Sequence, residues 1–147
     1  MNAAESYEFI LLALCVWREA RGEIVSAKFA VAWSIRNRVV KPSWWGRDWI
    51  SVILKPLQYS SFNVNDPNAV KWPDPRDTTW MSSVQAAQAA YLGNGDDPVS
   101  GATHYFDRSL DGNPPAWAAS MIHVIDIGNL HFYKVPQAMS AQYPHKH

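Results

Sequence analysis

Apolar residues recur at helical spacing in four segments before Gly95, and this pattern limits the folds that the chain can adopt. The spacing predicts helices over 6–21, 26–40, 48–54 and 79–92. A residue that ends helices follows each of them, in order Gly22, Pro42, Pro56 and Gly93. Ser6 is predicted as the N-cap of the first helix, and Asp77 or Thr78 as the N-cap of the last.

The composition changes after Gly95, where three short runs over 102–106, 121–126 and 130–134 are predicted as strands. Gly128-Asn129, between the last two runs, is a hairpin turn signal. Helices followed by a small antiparallel element predict an α+β fold. The 147 residues contain no repeat or linker, so we expect one domain over 1–135 and a weakly ordered tail over 136–147.

The charge balance argues against one class of partner. There are 13 basic and 13 acidic residues, so the net charge is zero and a nucleic-acid binder with a strong basic field is not expected. The single cysteine, Cys15, cannot form an internal disulfide. The apolar run over 9–16 is too short to cross a bilayer, and the acidic residues before it do not fit a secretory leader. We therefore expect neither membrane insertion nor a signal peptide.

Glu19 lies near the end of the first predicted helix, on the face that carries Leu12 and Val16, whereas Arg18 and Arg21 are predicted to point outward. A carboxyl group in apolar surroundings has a raised pKa, because desolvation disfavours its charged form. A general acid that cleaves a glycosidic bond needs such a carboxyl group. The alternative is a surface glutamate at a frayed helix end, paired with one of the two arginines.

Four blocks of residues, in order along the chain, resemble the SleB-type (spore-cortex-lytic) cell-wall hydrolases, a family that includes bacteriophage endolysins. Their most characteristic pieces are Glu19-Ala20-Arg21-Gly22-Glu23, Gln58-Tyr59-Ser60, Gly101-Ala102-Thr103-His104-Tyr105 and Ile127-Gly128-Asn129. The resemblance covers about 11–134. One position departs from the family: Leu130 follows the Ile-Gly-Asn triplet where the family often has histidine, and His131 comes one place later. In a strand, that shift moves the imidazole to the opposite face.

The resemblance implies a lysozyme-like fold, mainly helical with a small antiparallel β element, that cleaves peptidoglycan glycan strands. It also implies that Glu19 is the catalytic acid. We expect Tyr105 to face Glu19 across a cleft, and we regard Glu23 as either a supporting residue or a structural carboxylate. The expected substrate-binding residues are Gln58, Tyr59, Ser60, His104, Tyr105 and Tyr133, each of which also has a purely structural interpretation.

Two reaction outcomes stay open at this stage. A hydrolase uses a second carboxylate, and the acidic residues available in loops include Asp66, Asp74, Asp96, Asp97 and Asp107. In a lytic transglycosylase Glu19 acts alone, takes a proton back from the muramic C6 hydroxyl and yields a 1,6-anhydro product. The tryptophans Trp44, Trp45 and Trp49 either pack between short helices or offer faces on which sugar rings stack.

Two other functions are weighed against glycan cleavage. One is a metal-dependent N-acetylmuramoyl-L-alanine amidase, because His123 and His131 lie on strands that are predicted to pair. The chain has no His-Glu-x-x-His helix and no cysteine pair, so we expect no metal and no cofactor. The other is a non-catalytic peptidoglycan-binding module. The expected partner is the peptidoglycan glycan strand, and we expect a monomer held in the host cytoplasm before release to the cell wall.

Overall fold

Four α-helices and a three-stranded antiparallel sheet form the part of the chain that the computed structural model describes, residues 1–55 and 58–137. The helices are α1 (Ala3–Ala20), α2 (Val25–Val40), α3 (Trp49–Leu54) and α4 (Thr78–Leu92). The strands are β1 (His104–Asp107), β2 (Ile122–Ile127) and β3 (Leu130–Lys134). Four short 3₁₀ helices join them, over Ser60–Phe62, Pro67–Val70, Arg108–Leu110 and Ala116–Ser120. This arrangement confirms the predicted α+β class. Most of the predicted tail lies outside the described residues.

The helix ends agree with the sequence at α4 and differ at α1. Asp77 caps α4 by accepting a hydrogen bond from the amide of Thr79 at 2.9 Å, and Gly93 ends the helix in the left-handed conformation. The prediction of Ser6 as the N-cap of α1 was wrong. Asn2 caps this helix instead in a reciprocal pair with Glu5, through two hydrogen bonds of 2.8 and 3.1 Å. A complete capping box extends the helix to the earlier residue.

The helices α1, α2 and α4 pack against one another around the core. The fully buried positions of α4 carry small side chains, Ser83, Ala86, Ala87 and Ala90, so its backbone can approach α1 and α2 closely. Leu12, Val16, Val31 and Ile35 fill the space between the helices and are fully buried. Such burial stabilises the fold by roughly 1.5–3 kcal/mol per large apolar side chain.

Strand β3 lies between β1 and β2 and pairs antiparallel with both. Tyr105 and Phe132 are paired on the face that packs against the helices, where Phe132 is fully buried. The other face carries His104, Phe106, His131 and Tyr133. The face that packs against the helices thus carries Tyr105 and Phe132, whereas the opposite face carries the histidines of β1 and β3.

The hairpin between β2 and β3 is tied to the loop after α1. Glu23 accepts hydrogen bonds from the backbone amide and the side-chain amide of Asn129 at 3.0 and 3.1 Å. Gly128 adopts φ +60°, and a Cβ atom there would lie 2.7 Å from the Glu23 carboxylate. The turn therefore needs glycine both for its backbone conformation and for space.

The tryptophans near α3 take part in packing. The Trp45 ring is buried, and its Nε1 donates a hydrogen bond to the Arg38 carbonyl at 2.9 Å. Trp49 lies with its ring centroid 5.1 Å from that of Tyr91 on α4. Trp44 is partly buried and packs edge-on against Trp45. For this cluster the structure favours the packing interpretation.

Within residues 1–55 and 58–137, no helix is both long and apolar enough to span a bilayer.

Candidate active site

A cavity of about 200 Å³ lies between the C-terminal end of α1 and the sheet. Its lining residues are Glu19, Arg38, Gln58, Tyr59, Ser60, His104, Tyr105 and Trp117. Six of these had been predicted from the sequence as site residues, although they are far apart along the chain. The fold thus brings one carboxyl group, three hydroxyl groups, one amide, one guanidinium and one imidazole to a single cleft.

Glu19 is held at the base of this cleft by a tyrosine from the sheet. The Tyr105 hydroxyl donates a hydrogen bond to Glu19 Oε1 at 3.0 Å. Burial raises the pKa of Glu19, because desolvation disfavours its charged form, while the neighbouring Ser61 and the hydrogen bond from Tyr105 partly oppose the rise. Asp66 raises this pKa a little further by charge repulsion. The environment therefore favours a carboxyl group that keeps its proton at higher pH than an exposed glutamate does.

The segment that carries Ser61 is fastened to α1 by Arg18, and here the sequence prediction was wrong. Arg18 was expected to point outward, yet only 6% of its surface is exposed. Its guanidinium donates to the carbonyls of Ser61, Ala69 and Lys71 and lies over the rings of Phe62 and Trp72. One buried arginine can satisfy several loop carbonyls with its five N–H groups, so it orders a segment that has little regular structure.

Polar atoms without a protein partner concentrate around the cleft. Among the described residues, five buried side-chain atoms lack a hydrogen bond to another protein group: Arg38 Nη1, Gln58 Oε1, Tyr59 Oη, Ser61 Oγ and His104 Nε2. Four of the five belong to residues that line the cavity, and Ser61 lies beside Glu19. Most buried polar groups in proteins are paired, so such a concentration needs water or a ligand to explain it. The cleft is therefore prepared to receive polar groups.

Arg38 is the only cation that lines the cleft among the described residues. Its Nε donates to the Thr103 carbonyl at 2.6 Å, whereas its Nη1 has no hydrogen-bond partner among the described residues. The guanidinium lies over the rings of Trp45 and Tyr59, at 5.6 and 5.5 Å from their centroids. These contacts fix its plane, so the unpaired N–H groups are presented in one orientation.

His104 is a neutral imidazole in an aromatic surrounding. Its Nδ1 lies 2.8 Å from the Thr103 hydroxyl, and its ring is 5.0 Å from that of Trp117. Burial and the positive charge of Arg38 lower the pKa of His104 to about 2. It can therefore donate or accept a hydrogen bond through Nε2, but it does not carry charge at ordinary pH.

Gln58, Tyr59 and Ser60 all lie at the cleft, in different ways. The Gln58 amide donates to the carbonyls of Trp45 and Val52, at 3.0 and 2.7 Å, and so keeps its carbonyl oxygen fixed. Tyr59 is buried, and Ser60 is exposed at the rim. Ser61, the next residue, is the one that interacts with Glu19.

Two of the predicted site residues lie outside this lining. Glu23 serves the Asn129 turn described above. Tyr133 lies behind the cleft wall, where its ring contacts those of Trp117 and Phe106. A supporting role for Glu23 and a direct substrate contact by Tyr133 stay predictions.

No second carboxylate lines the cavity among the residues that the structure describes. The aspartates weighed for that role have other partners or lie elsewhere. Asp66 and Asp107 cap 3₁₀ helices, and Asp74 pairs with Arg76. Asp97 binds Asn37 and two backbone amides, and Asp96 is exposed.

Four residues that organise the cleft were not singled out from the sequence for such a role: Arg18, Arg38, Ser61 and Trp117. The signal for Arg38 was its position on the inward side of α2 beside Asn37, since an arginine that lies on a buried helix face must find a partner or a function. Trp117 comes from the 3₁₀ helix before β2 and had no sequence pattern of its own.

Several known proteins and one family model are similar to this chain. The model of the family described as Cell Wall Hydrolase matches residues 22–133. A spore cortex-lytic enzyme of Halalkalibacterium halodurans is 34% identical over 115 residues, which make up 76% of this chain. The chain spans 31% of the length of that curated relative.

Two solved structures share the fold. The catalytic domain of the germination-specific lytic transglycosylase SleB from Bacillus anthracis is 28% identical with a TM-score of 0.68, and the match covers 86% of this chain and 93% of that one. The catalytic domain of the SleB protein from Bacillus cereus has the same identity and TM-score, and the match covers 86% of this chain and 89% of that one. These likenesses confirm the predicted lysozyme-like fold.

Proposed function

Because the chain belongs to the Cell Wall Hydrolase family, we propose that it cleaves the glycan strands of peptidoglycan, with Glu19 as the proton donor. The observation that carries this proposal is the Glu19 carboxyl group. It is partly buried, has a raised pKa and opens onto a cleft that offers unpaired polar groups. General acid catalysis of this kind contributes roughly 10²–10⁴-fold to a rate.

The first step breaks the glycosidic bond between N-acetylmuramic acid and N-acetylglucosamine. Glu19 gives its proton to the bridging oxygen, the bond from that oxygen to the muramic C1 breaks, and positive charge develops at C1. The Tyr105 hydroxyl then stabilises the carboxylate that Glu19 becomes, through the same 3.0 Å hydrogen bond.

The second step in our proposal is a lytic transglycosylase step. The Glu19 carboxylate takes the proton of the muramic C6 hydroxyl, O6 bonds to C1, and a 1,6-anhydro sugar forms without the uptake of water. One carboxyl group serves both steps, which is consistent with Glu19 being the one carboxyl group in the described lining. The Bacillus anthracis relative is itself named a lytic transglycosylase.

Sugar binding is assigned to the polar atoms around the cleft. Arg38 Nη1 and His104 Nε2 are placed to bond acetamido, hydroxyl or carboxylate oxygens, and Gln58 Oε1 accepts from hydroxyl or amide groups. The Trp117 ring supplies an apolar wall. Neutral and anionic groups of a muramoyl unit suit this mixture of donors, acceptors and one cation.

The proposal is tested with Glu19→Gln on purified peptidoglycan. Glu8→Gln is the matched control, because Glu8 lies on the same helix but bonds Tyr91 away from the cleft. We expect Glu19→Gln to bind peptidoglycan and to cleave it at least about 10²-fold more slowly, while Glu8→Gln retains cleavage. Unchanged cleavage by Glu19→Gln would overturn the proposal.

Mass spectrometry of the released muropeptides separates the chemical outcomes. A transglycosylase gives anhydromuramoyl ends that are lighter by one water than the reducing ends of a hydrolase. Release of free stem peptides instead of cut glycans would indicate an amidase. Binding without any product would indicate a non-catalytic binding module.

A further inference from the structure

A second cluster of polar side chains lies on the exposed part of the sheet, on the face opposite Tyr105. It consists of His123 and Asp126 on β2, His131 on β3 and Asp111 after the third 3₁₀ helix. Asp126 Oδ1 lies 2.6 Å from His123 Nε2 and 2.7 Å from His131 Nδ1. The other ring nitrogen of His131 lies 2.7 Å from Asp111 Oδ1. None of these residues lines the cleft that contains Glu19.

An irregularity in β2 brings the cluster together. Residues three apart in a regular strand point to opposite faces, but the pairing of β2 with β3 shifts between His123 and Ile125. His123 is therefore paired with Tyr133, and Asp126 with His131. Since 131 and 133 lie on the same face of β3, their partners 126 and 123 share a face as well. Such a β-bulge interrupts the ladder and changes the direction of side chains, and bulges are common next to functional sites.

The donor set suits a divalent transition metal. One ligand atom from each of His123, Asp126 and His131 lies within 4.8 Å of the others. Two imidazole nitrogens and a carboxylate oxygen are a common protein ligand set for Zn²⁺, which also accepts water in a fourth position. His123 and Asp126 are exposed, so water has access to that position.

Asp111 holds the second ring nitrogen of His131, as expected for a histidine that is oriented to bind a metal. Metal-bound histidines usually donate their second N–H to a carboxylate or carbonyl, which fixes the ring and its tautomer. The bond from His131 Nε2 to Asp111 does this and leaves Nδ1 directed at Asp126 and His123. From this geometry we infer that His123, Asp126 and His131 bind Zn²⁺, with Asp111 as the positioning residue for the His131 ring.

The site links β2 to β3 and does not enter the proposed chemistry. The His123 ring lies 5.2 Å from the Tyr133 ring, which in turn lies 5.5 Å from Trp117 in the cleft wall. A metal here therefore stabilises the sheet and the wall that it supports. The sequence predicted no metal, because the motifs of a catalytic zinc site, a His-Glu-x-x-His helix or a cysteine pair, are absent from it.

Zinc binding to the EDTA-treated, dialysed protein is measured by calorimetry with ZnSO₄, and the melting temperature is recorded with and without zinc. All proteins, the parent included, carry His145→Ala and His147→Ala, because histidines outside the proposed site can also bind zinc and would change the measured stoichiometry. The test variants are His123→Ala, Asp126→Asn and Asp111→Asn. Asp74→Asn is the control, since Asp74 is an exposed carboxylate paired with Arg76.

We expect one zinc ion per chain and a higher melting temperature with zinc for the parent protein and for Asp74→Asn. His123→Ala and Asp126→Asn are expected to lose the stoichiometric binding, and Asp111→Asn to weaken it by about 10–100-fold. The four substituted positions, Asp74, Asp111, His123 and Asp126, are exposed, and circular dichroism checks that each variant folds. Absence of zinc binding by the parent, or equal binding by His123→Ala, would overturn the inference. The cluster would then be a hydrogen-bonded group of side chains without a metal.

Discussion

Replacement of Tyr105 by phenylalanine changes the hydrogen bonding of Glu19 without removing its carboxyl group. The lost interaction is the 3.0 Å bond from the tyrosine hydroxyl to Glu19 Oε1. A hydrogen bond to a charged group contributes roughly 1.5–3 kcal/mol. The carboxylate form of Glu19 loses up to this amount of stabilisation in the variant, so the pKa of Glu19 should rise above its value in the parent protein.

The sign of the effect on activity follows from the role that we propose for Glu19. A general acid acts in its protonated form, so activity is lost as the pH rises through its pKa. Because Tyr105→Phe removes a donor that favours the carboxylate, the high-pH limb of kcat/KM should move upward. The assay is the initial rate of muropeptide release from soluble glycan fragments across the pH range.

Tyr91→Phe is the matched control for this measurement. The Tyr91 hydroxyl donates to Glu8 Oε1 at 2.7 Å, so the variant removes the same type of bond away from the cleft. It should leave the high-pH limb where it is in the parent protein. A high-pH limb that stays in place or moves downward in Tyr105→Phe would show that Glu19 is not the acid that this limb reports.

Three further predictions concern stability and charge. Burial raises the pKa of Glu19 in the folded state, so the folded protein loses stability as the pH rises through that pKa. In urea unfolding, Glu19→Gln should therefore exceed the parent protein in stability by more at pH 8 than at pH 4. An equal difference at both pH values would contradict a raised pKa of Glu19. Asp97→Asn places an amide against the donors of Asn37, Val99 and Gly101 and should cost about 2–3 kcal/mol of unfolding free energy in urea unfolding. Asp74→Asn, which alters an exposed ion pair, should leave the unfolding free energy close to that of the parent protein. Since the folded-state pKa of His104 is lowered to about 2, its imidazole resonances should not titrate between pH 4 and 8 by NMR, and its contribution to stability should fall as the pH drops below the unfolded value of about 6.5.

The sequence predicted the local parts of this fold well because their causes are local. Asp77 and Gly93 delimit α4 through bonds to residues within the same helix turn. Gly128 marks the hairpin because the turn itself requires a positive φ. The placement of Glu19 on the apolar side of its helix followed from its spacing to apolar neighbours, and that of Tyr105 opposite it from its position on a predicted strand.

What the sequence did not predict depends on contacts between distant segments. Arg18 looks like a surface residue until the carbonyls of 61–71 surround it. The shift between His123 and Ile125 has no marker in the sequence, because β3 determines which residues oppose them. The monomeric state, the endolysin-like character and the location in the host cytoplasm before release stay predictions.

The turn at Gly128 also decides where this chain tolerates inserted sequence. Any side chain at 128 displaces the Glu23 carboxylate, and an insertion there separates Asn129 from it. Tags, affinity loops or reporter domains should therefore not be grafted into this hairpin, although hairpin tips are usual choices. The turn at 94–96 is the better fusion point, because its residues are exposed and a Cβ at Gly95 would have no atom within 4 Å.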